Sequence, residues 1–296
     1  MKKIFVAYAD EKMAYSLKRI GEQAGKLGLF DDIILWTPQM LPNWIKTSPL
    51  MQYSYGGGFW AWKPCIIYET LQRHEEGTVV CYIDAGCTLR KGIEWALYFE
   101  MMKDYDTLCF KYRDEMPEWE RFGSIKTSIE FWSKKELLLF LDDSCGTSEY
   151  RKLNKIWGGA LFFKGKSNEL LKEWLDITLH YPNLIMHPTK DELKEQYPFF
   201  AQHKHDQPVI TALAYKYRNR CIVLPELSET EGRNVAIHAT RCRASNIYNY
   251  YWQKIKNFGR YLLGGKICEF IKRKCTRSIF FLVAILYNLI LVYGSK

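Results

Sequence analysis

Short apolar runs alternate with longer segments of helical periodicity along most of this 296-residue chain. Val, Ile and aromatic residues dominate the short runs, which is typical of buried β-strands. The predicted strands are residues 3–8, 32–36, 78–83, 106–110, 159–163 and 221–224. The predicted helices are residues 11–28, a helix that follows Pro64, and residues 91–103, 167–180 and 206–217. Strands that alternate with helices predict an α/β domain with a largely parallel sheet.

Two carboxylates stand at the carboxyl ends of predicted strands. Asp10 follows the first strand, and Asp84 follows residues 78–83, the cleanest candidate for a buried strand. Ligands of open α/β sheets bind at this edge. A carboxylate held there suits a divalent cation that bridges two phosphates. The alternative for Asp84 is a helix cap or a turn former, with Gly86 behind it.

The segment GGGFWAWKP, residues 56–64, is the most informative stretch that precedes Asp84. Its three glycines permit unusual backbone angles or a close approach to a ligand. Lys63 lies at the predicted start of a helix, where an ammonium and the helix dipole together favour a diphosphate. The alternative is a glycine turn with Trp60 and Trp62 packed into the core. The glycines match no nucleotide-binding fingerprint, because no strand leads directly into them.

A third segment, HKHDQ at residues 203–207, precedes an apolar helix. Asp206 and Gln207 begin that helix, and Asp206 is well placed to cap it. His203 and His205 form a His-Xaa-His pair without a carboxylate at metal-ligand spacing. We therefore expect both histidines at the surface.

The net charge of +9 is concentrated at the carboxyl terminus. Residues 254–296 contain nine Lys and Arg residues and one acid, which gives +8 and leaves about +1 for residues 1–253. A nucleic-acid-binding protein usually spreads its basic surface over the folded domain, so the charge argues against nucleic acid as a partner. The nine cysteines are odd in number and include no Cys-Xaa-Xaa-Cys pair, which favours reduced thiols in a cytoplasmic protein.

The composition changes near residue 246, where a Tyr-rich and Lys-rich stretch begins. Residues 279–293 are almost wholly apolar and follow the basic stretch KRKCTR at 272–277. As a helix they would reach about 22 Å, short of a hydrocarbon core of about 30 Å. We expect a peripheral or monotopic anchor that binds anionic lipids. The alternative is a carboxyl-terminal core helix or an oligomer contact.

Four segments occur in an order that resembles a known family. They are WAWKP at 60–64, YIDAG at 82–86, IWGGALFFK at 156–164 and HDQPVITALAYKY at 205–217. Together they resemble the bacterial glycosyltransferases of capsule and lipopolysaccharide loci, which are related to the GT-A superfamily. The resemblance implies a GT-A-like catalytic domain over residues 1–245 and a basic, apolar, helical membrane-associating tail over residues 246–296.

The same resemblance implies the activity and the partners. The chain would move a sugar from a nucleotide diphosphate sugar, a UDP-sugar first, to a glycan or glycolipid acceptor in surface polysaccharide synthesis, with retention of configuration. Asp84, Asp206 and Gln207 would be catalytic. The remaining residues implied to bind donor or acceptor are Tyr8, Asp10, Trp60, Trp62, Lys63, Gly158, Gly159, Arg241 and Arg243.

One departure from the family pattern leaves metal dependence open. Asp-Ala-Gly at 84–86 replaces the Asp-Xaa-Asp of the family, so the second carboxylate is missing. Asp84 alone would hold Mn²⁺ or Mg²⁺ weakly, and His238 is the candidate for a further ligand. The alternative is that Arg241 and Arg243 neutralise the leaving diphosphate without a metal.

Two other functions remain as alternatives. A sugar-nucleotidyltransferase should carry a glycine-rich and basic loop after its first strand, and AYADEKMA at 7–14 lacks one. A non-catalytic, membrane-associated carbohydrate- or nucleotide-binding protein would explain the missing carboxylate. The expected location is the cytoplasmic face of the bacterial inner membrane.

Overall fold

The structure is a computed structural model that describes residues 1–114, 126–229 and 235–254. Its strands are β1 Lys3–Tyr8, β2 Asp32–Trp36, β3 Val79–Ile83, β4 Thr88–Leu89, β5 Thr107–Lys111, β6 Ala160–Lys164, β7 Cys221–Pro225 and β8 Ile237–His238. Its α-helices are α1 Ala14–Leu27, α2 Asn43–Lys46, α3 Gly56–Phe59, α4 Trp62–Gln72, α5 Glu94–Asp104, α6 Lys135–Cys145, α7 Glu169–His180, α8 Pro182–Ile185 and α9 Asp206–Lys216. The apolar segment at 279–293 lies outside the described residues.

Six strands form the main sheet in the order β2-β1-β3-β6-β5-β7. The pairs β1–β2, β1–β3 and β5–β7 are parallel, and β6 runs antiparallel to both of its neighbours. The prediction of an α/β domain with a largely parallel sheet is confirmed. All six predicted strands are present, each within two residues of its predicted bounds.

Successive side chains of a strand point to opposite faces of the sheet. Apolar side chains on both faces are covered here by helices. One apolar cluster contains Tyr82 of β3 and joins the sheet to α4, α6, α7 and α9. The other contains Cys81 and joins the sheet to α1 and α5. All five residues of β3 are buried, as a central strand covered on both faces requires.

Asp10 acts as a cap at the start of the first helical segment. Its Oδ1 accepts a hydrogen bond from the backbone N–H of Lys12 at 3.0 Å, and a short 3₁₀ turn, Glu11–Met13, leads into α1. The helix predicted over 11–28 is therefore a 3₁₀ turn followed by an α-helix. It ends at Gly28, whose φ of 65° lies in the left-handed region that favours glycine.

The long segment between β2 and α4 was expected to be a loop, and it contains several single helical turns. The α-helical turn is α2, the 3₁₀ turns are Pro38–Met40 and Pro49–Gln52, and α3 is a turn whose φ angles are positive. Leu41, Ile45 and Leu50 are buried, so these turns are anchored to the core. Among the helices that the structure describes, none is both long enough and apolar enough to cross a membrane.

Candidate functional site

Asp84 is held at the carboxyl end of β3 by the sheet itself. Its backbone N–H donates to the carbonyl of Gly159 at 2.9 Å, and its carbonyl accepts from the N–H of Cys87 at 2.9 Å, which closes a tight turn. The hydroxyl of Tyr82 donates to Oδ1 of Asp84. The side chain of Asp84 is still 40% exposed. A carboxylate fixed in this way can meet a ligand without first being ordered.

A buried ion pair lies directly beside Asp84. The ammonium of Lys63, in the first turn of α4, is 2.9 Å from Oδ2 of Asp206 at the start of α9. The same ammonium donates to the carbonyl of Gly158 at 2.9 Å and lies 3.8 Å from Oδ1 of Asp84. The Lys63 and Asp206 side chains are only 4% and 8% exposed. One buried cation therefore joins α4, the segment that leads into β6, and α9 beside Asp84.

Burial and charge act against each other in this pair. Burial works to lower the pKa of Lys63, but the carboxylates of Asp206 and Asp84 outweigh it, so this pKa lies above its ordinary value. Burial raises the pKa of Asp206, and the Lys63 ammonium offsets only part of that increase. Lys63 thus stays protonated, and removing it would leave the charge of Asp206 uncompensated in the interior.

Gly158 lies tightly against the ion pair. A Cβ at this position would lie 3.1 Å from both Oδ2 of Asp206 and Nζ of Lys63. Gly159 would place a Cβ 2.3 Å from the ring of Trp157. The carbonyl of Gly158 accepts from the Lys63 ammonium, and that of Gly159 accepts from the Asp84 backbone N–H. The proposed contacts of both glycines with a sugar stay predictions.

Five consecutive residues, Gly56 to Trp60, have positive φ and form one left-handed turn. The φ angles of Phe59 and Trp60 are 54° and 62°. Such angles cost a non-glycine L-residue about 1–2 kcal/mol each. Backbone strain of this kind persists only where the surroundings enforce it, and it concentrates at functional sites. The expectation that the glycine run has an unusual backbone is confirmed.

Aromatic rings enclose the Lys63 ammonium. It lies 5.9 Å from the ring centroid of Trp60, 6.0 Å from Trp62 and 5.6 Å from Tyr82. Trp62 stacks on Tyr8 with the ring centroids 4.0 Å apart. One face of the Tyr8 ring is therefore covered by Trp62. The proposed contacts of Tyr8, Trp60 and Trp62 with a donor stay predictions.

Arg19 holds the turn that follows Asp84, although it is not among the residues that the sequence predicts for the site. From α1, its guanidinium donates to the carbonyls of Ala85 at 3.2 Å and Cys87 at 2.5 Å, and to the Thr88 hydroxyl at 2.8 Å. Arg19 is buried. Its position 65 residues before Asp84 in a polar helix gave no sequence signal for this contact.

The segment after β8 packs against the same turn. The N–H of Cys242 and the hydroxyl of Thr240 donate to the carbonyl of Gly86 at 2.9 and 2.8 Å. Arg241 and Arg243 flank Cys242 in the chain, and their proposed contacts with the diphosphate stay predictions. The guanidinium of Arg241 lies 2.9 Å from Oε2 of Glu229.

The expectation for His203 and His205 was wrong. Both are buried rather than exposed. The backbone N–H of Lys134 donates to Nδ1 of His203, and Nδ1 of His205 donates to the carbonyl of Ile185 at 2.7 Å. Burial is the main cause that lowers the pKa of both rings. Polar residues in a loop suggested solvent, whereas the loop folds back against α8.

The described residues do not build a metal site. Within residues 1–114, 126–229 and 235–254, no three His, Cys, Asp or Glu side chains converge as a metal site would need. Oδ1 of Asp84 faces the Lys63 ammonium, and Nδ1 of His238 lies 3.3 Å from the guanidinium of Arg90. A single carboxylate beside a buried cation does not fit a protein-built site for Mg²⁺ or Mn²⁺. No chemical step is therefore assigned to a metal, and the pairing of Asp84 with His238 stays a prediction.

A separate cavity of about 640 Å³ lies at the other end of the sheet. Lys3, Trp95 and Phe99 are among the residues that line it, and Lys3 begins β1. It therefore lies at the amino end of the strand, whereas Asp84 follows the carboxyl end of β3. This cavity is therefore separate from the polar groups that converge at Asp84, Lys63 and Asp206.

No protein-family model and no curated protein matches the sequence. Three solved structures that resemble the chain are all described as transferases. A glycosyltransferase involved in glycosylation of the major capsid of PBCV-1 is 10% identical, over 76% of this chain and 82% of that one, with a TM-score of 0.39. Mouse xyloside xylosyltransferase 1 is 9% identical, over 76% and 85%, with a TM-score of 0.41. The galactosyltransferase LgtC, with donor and acceptor sugar analogs, is 13% identical, over 74% and 72%, with a TM-score of 0.33. All three TM-scores lie below 0.5, and no family is assigned from them.

Proposed function

We propose that this chain is a glycosyltransferase of GT-A-like fold that moves a sugar from a nucleotide diphosphate sugar to a hydroxyl of a glycan or glycolipid. One observation supports this most: Asp84 is a rigid, exposed carboxylate at the carboxyl edge of a mostly parallel sheet, backed by the buried Lys63–Asp206 pair. That edge is where α/β sheets bind nucleotides and other ligands. All three of these residues, Lys63, Asp84 and Asp206, lie in segments that resemble those of glycosyltransferases.

In the proposed reaction, the bond between the anomeric carbon and the diphosphate oxygen breaks. A bond from that carbon to the acceptor oxygen forms, and the acceptor proton leaves to solvent. The departing nucleotide diphosphate carries the electron pair, so positive groups must stabilise it. Arg241 and Arg243, which flank the residue bonded to Gly86, are the cations we assign to it. Tyr8 and Asp10 would lie on the nucleotide side of the site.

Asp206 is assigned a positioning role beside its expected role at the sugar. Its Oδ2 is occupied by Lys63, and the pair fixes the start of α9 against α4. Gln207 follows, and its Oε1 is buried without a hydrogen-bond partner among the described residues. Buried polar atoms are rarely left unsatisfied, so we propose that Oε1 of Gln207 accepts a hydrogen bond from a bound sugar hydroxyl or a water. Transfer with retention of configuration belongs to the same proposal.

The test is nucleotide release by purified full-length chain across UDP-, GDP- and CMP-sugars, with and without Mn²⁺ and acceptor sugars. Asp84→Ala should lower release from the accepted donor at least about tenfold, because a loss of about 1.4 kcal/mol of charge stabilisation changes a rate by that factor. Asp191→Ala is the matched control, since Asp191 is an exposed carboxylate that pairs with Lys194 on the surface. It should retain the wild-type rate.

Two results would contradict the proposal. If no nucleotide sugar binds in calorimetry on the same sample, the transferase function is wrong. If a donor binds without turnover under every acceptor condition, the non-catalytic binding protein becomes the better explanation. A requirement for Mn²⁺ would show that the diphosphate completes a metal site that the described residues do not build alone.

We also propose that residues 246–296 hold the enzyme at the cytoplasmic face of the bacterial inner membrane, where it would act in surface polysaccharide synthesis. Residues 255–296 lie outside the described part of the structure, so charge and hydropathy of the sequence support this proposal. Each basic residue near an anionic surface contributes about 1 kcal/mol. The chain should float with vesicles that contain phosphatidylglycerol, and added salt should weaken this binding.

The flotation experiment has a matched pair of triple variants. Replacing Lys272, Arg273 and Lys274 by Gln should release the chain from anionic vesicles. Replacing three exposed lysines of the body by Gln should not, although it removes the same charge; these are Lys18, Lys103 and Lys194. Equal loss of binding in both variants would show that net charge, not the tail, drives association.

A further inference from the structure

A cluster of six aromatic and imidazole rings lies beside the candidate site, and among its members Trp60 alone carries a prediction made above, a contact with the donor. We call it the aromatic platform. It consists of Tyr53, Tyr55, Phe59, Trp60, His187 and His205.

The platform has an exposed layer and a buried layer. Tyr53 and Tyr55 are 47% and 45% exposed, and His187 is exposed as well. Phe59 and His205 are buried beneath them. The Tyr55 ring centroid lies 4.6 Å from that of His187 and 5.8 Å from that of Phe59. Exposed aromatic rings that pack on a buried aromatic layer mark an interaction surface.

Strained backbone fixes the platform in place. Phe59 and Trp60 belong to the left-handed turn, and His205 has a φ of 54°. These are three of the four non-glycine residues with positive φ among those that the structure describes. Strain that collects at one surface is typical of a ligand site. It also fixes the backbone from which the rings of Phe59, Trp60 and His205 project.

The platform is uncharged at neutral pH. Burial lowers the pKa of His187 and lowers that of His205 to about 4, so both rings are neutral. The other four members carry no charge. Surfaces that stack nucleobases combine aromatic rings with a basic groove, and anionic lipid surfaces also require cations. The platform therefore suits a neutral ligand.

His205 indicates that the ligand should carry a hydrogen-bond donor. Its Nδ1–H donates to the Ile185 carbonyl, so Nε2 is a hydrogen-bond acceptor. Nε2 is buried and has no partner among the described residues. Its ring contacts Tyr55 at 5.4 Å and His187 at 4.6 Å between centroids. Tyr55 and His187 are exposed side chains, whose rotamers change in nanoseconds or less, and such a change is the route by which a hydroxyl donor would reach Nε2.

The platform is continuous with the proposed catalytic residues. His205 directly precedes Asp206, and the Trp60 ring centroid lies 5.9 Å from the Lys63 ammonium. A ligand on the platform would therefore lie next to the site of transfer. Pyranose sugars match these features, since they are neutral, present flat C–H faces to aromatic rings and donate hydrogen bonds from hydroxyls.

We propose that the aromatic platform is the binding site for the neutral sugar units of the acceptor glycan. The assignment of the bound glycan as the acceptor rests on the transferase function proposed above, whereas binding of a neutral oligosaccharide does not. Tyr55 is its most informative residue, because it is exposed and contacts four other members of the platform.

The experiment is saturation-transfer NMR on the full chain in a detergent without a sugar headgroup. The probes are lactose, maltotriose, cellotriose and chitotriose, with no nucleotide present. At least one probe should bind, and Tyr55→Ala should weaken its binding about fivefold or more through the lost ring contact. Tyr55→Phe keeps the ring and should retain most of the binding. Tyr181→Ala is the matched control, because Tyr181 is a similarly exposed tyrosine that packs on Phe140, outside the platform.

Three outcomes would overturn the proposal. They are no binding of any probe up to millimolar concentration, unchanged binding in Tyr55→Ala, and equal weakening in Tyr181→Ala. Loss of vesicle flotation in Tyr55→Ala, without loss of oligosaccharide binding, would assign the platform to the membrane instead. Because no nucleotide is present, failure of the donor-release experiment would leave oligosaccharide binding standing, so the two proposals fail separately.

Discussion

Lys63→Met is expected to destabilise the fold by about 3–5 kcal/mol, which is the usual result of removing one partner of a buried ion pair. The substitution leaves Asp206 in the interior without the ammonium 2.9 Å away that compensates its charge. It also removes the hydrogen bond to the Gly158 carbonyl, which connects α4 to the segment that leads into β6. Urea denaturation followed by tryptophan fluorescence measures the change in the free energy of unfolding.

A double-mutant cycle separates the charge effect from lost packing. Asp206→Asn should cost less than Lys63→Met, because Asp84 lies 3.8 Å from the ammonium and still offsets part of its charge. The double variant Lys63→Met with Asp206→Asn should be more stable than the sum of the single changes, since no charge remains unpaired. It should nevertheless lack donor turnover. If the free energy of unfolding of Lys63→Met lies within about 1 kcal/mol of the wild-type value, the ion pair does not stabilise the protein as described.

Gly58→Ala is expected to destabilise the protein by about 2–5 kcal/mol, the combined result of backbone strain and overpacking. Gly58 has a φ of 94°, and a Cβ there would lie 2.7 Å from Sδ of Met51 and 3.1 Å from the Leu50 carbonyl oxygen. The methionine end can move, but the backbone carbonyl cannot. Thermal unfolding monitored by circular dichroism measures the loss.

Gly57→Ala is the matched control for Gly58→Ala. Gly57 has a φ of 59°, and the nearest atom to its Cβ would be Nε1 of Trp62 at 3.5 Å, which is an ordinary contact. Only the left-handed strain of about 1–2 kcal/mol applies at that position. Equal destabilisation by the two alanines would contradict the close approach between Gly58 and the backbone of Leu50.

Local sequence patterns determined the sheet and the edge at which the site lies. Residues 79–83 are apolar without interruption because β3 is covered by helices on both faces, and such a run is readable without tertiary information. Asp84 is the first residue after this buried run, and its side chain is 40% exposed. The helix that begins at Asp206 was predicted in the same way, from a polar start followed by Val209, Ile210 and Leu213. The run of three glycines likewise permits the unusual backbone that the structure has.

The tertiary structure alone decided which of these residues meet. The sequence placed Lys63 at a helix start facing a ligand, whereas its ammonium pairs with Asp206, 143 positions away, and with the Gly158 carbonyl, 95 positions away. Arg19 holds the Asp84 turn from 66 and 68 positions before the carbonyls it contacts, and His203 and His205 are buried rather than exposed. Periodicity and local propensity report on neighbours within a few residues. Pairings across the fold depend on how the helices pack on the sheet, so they were fixed only by the tertiary structure.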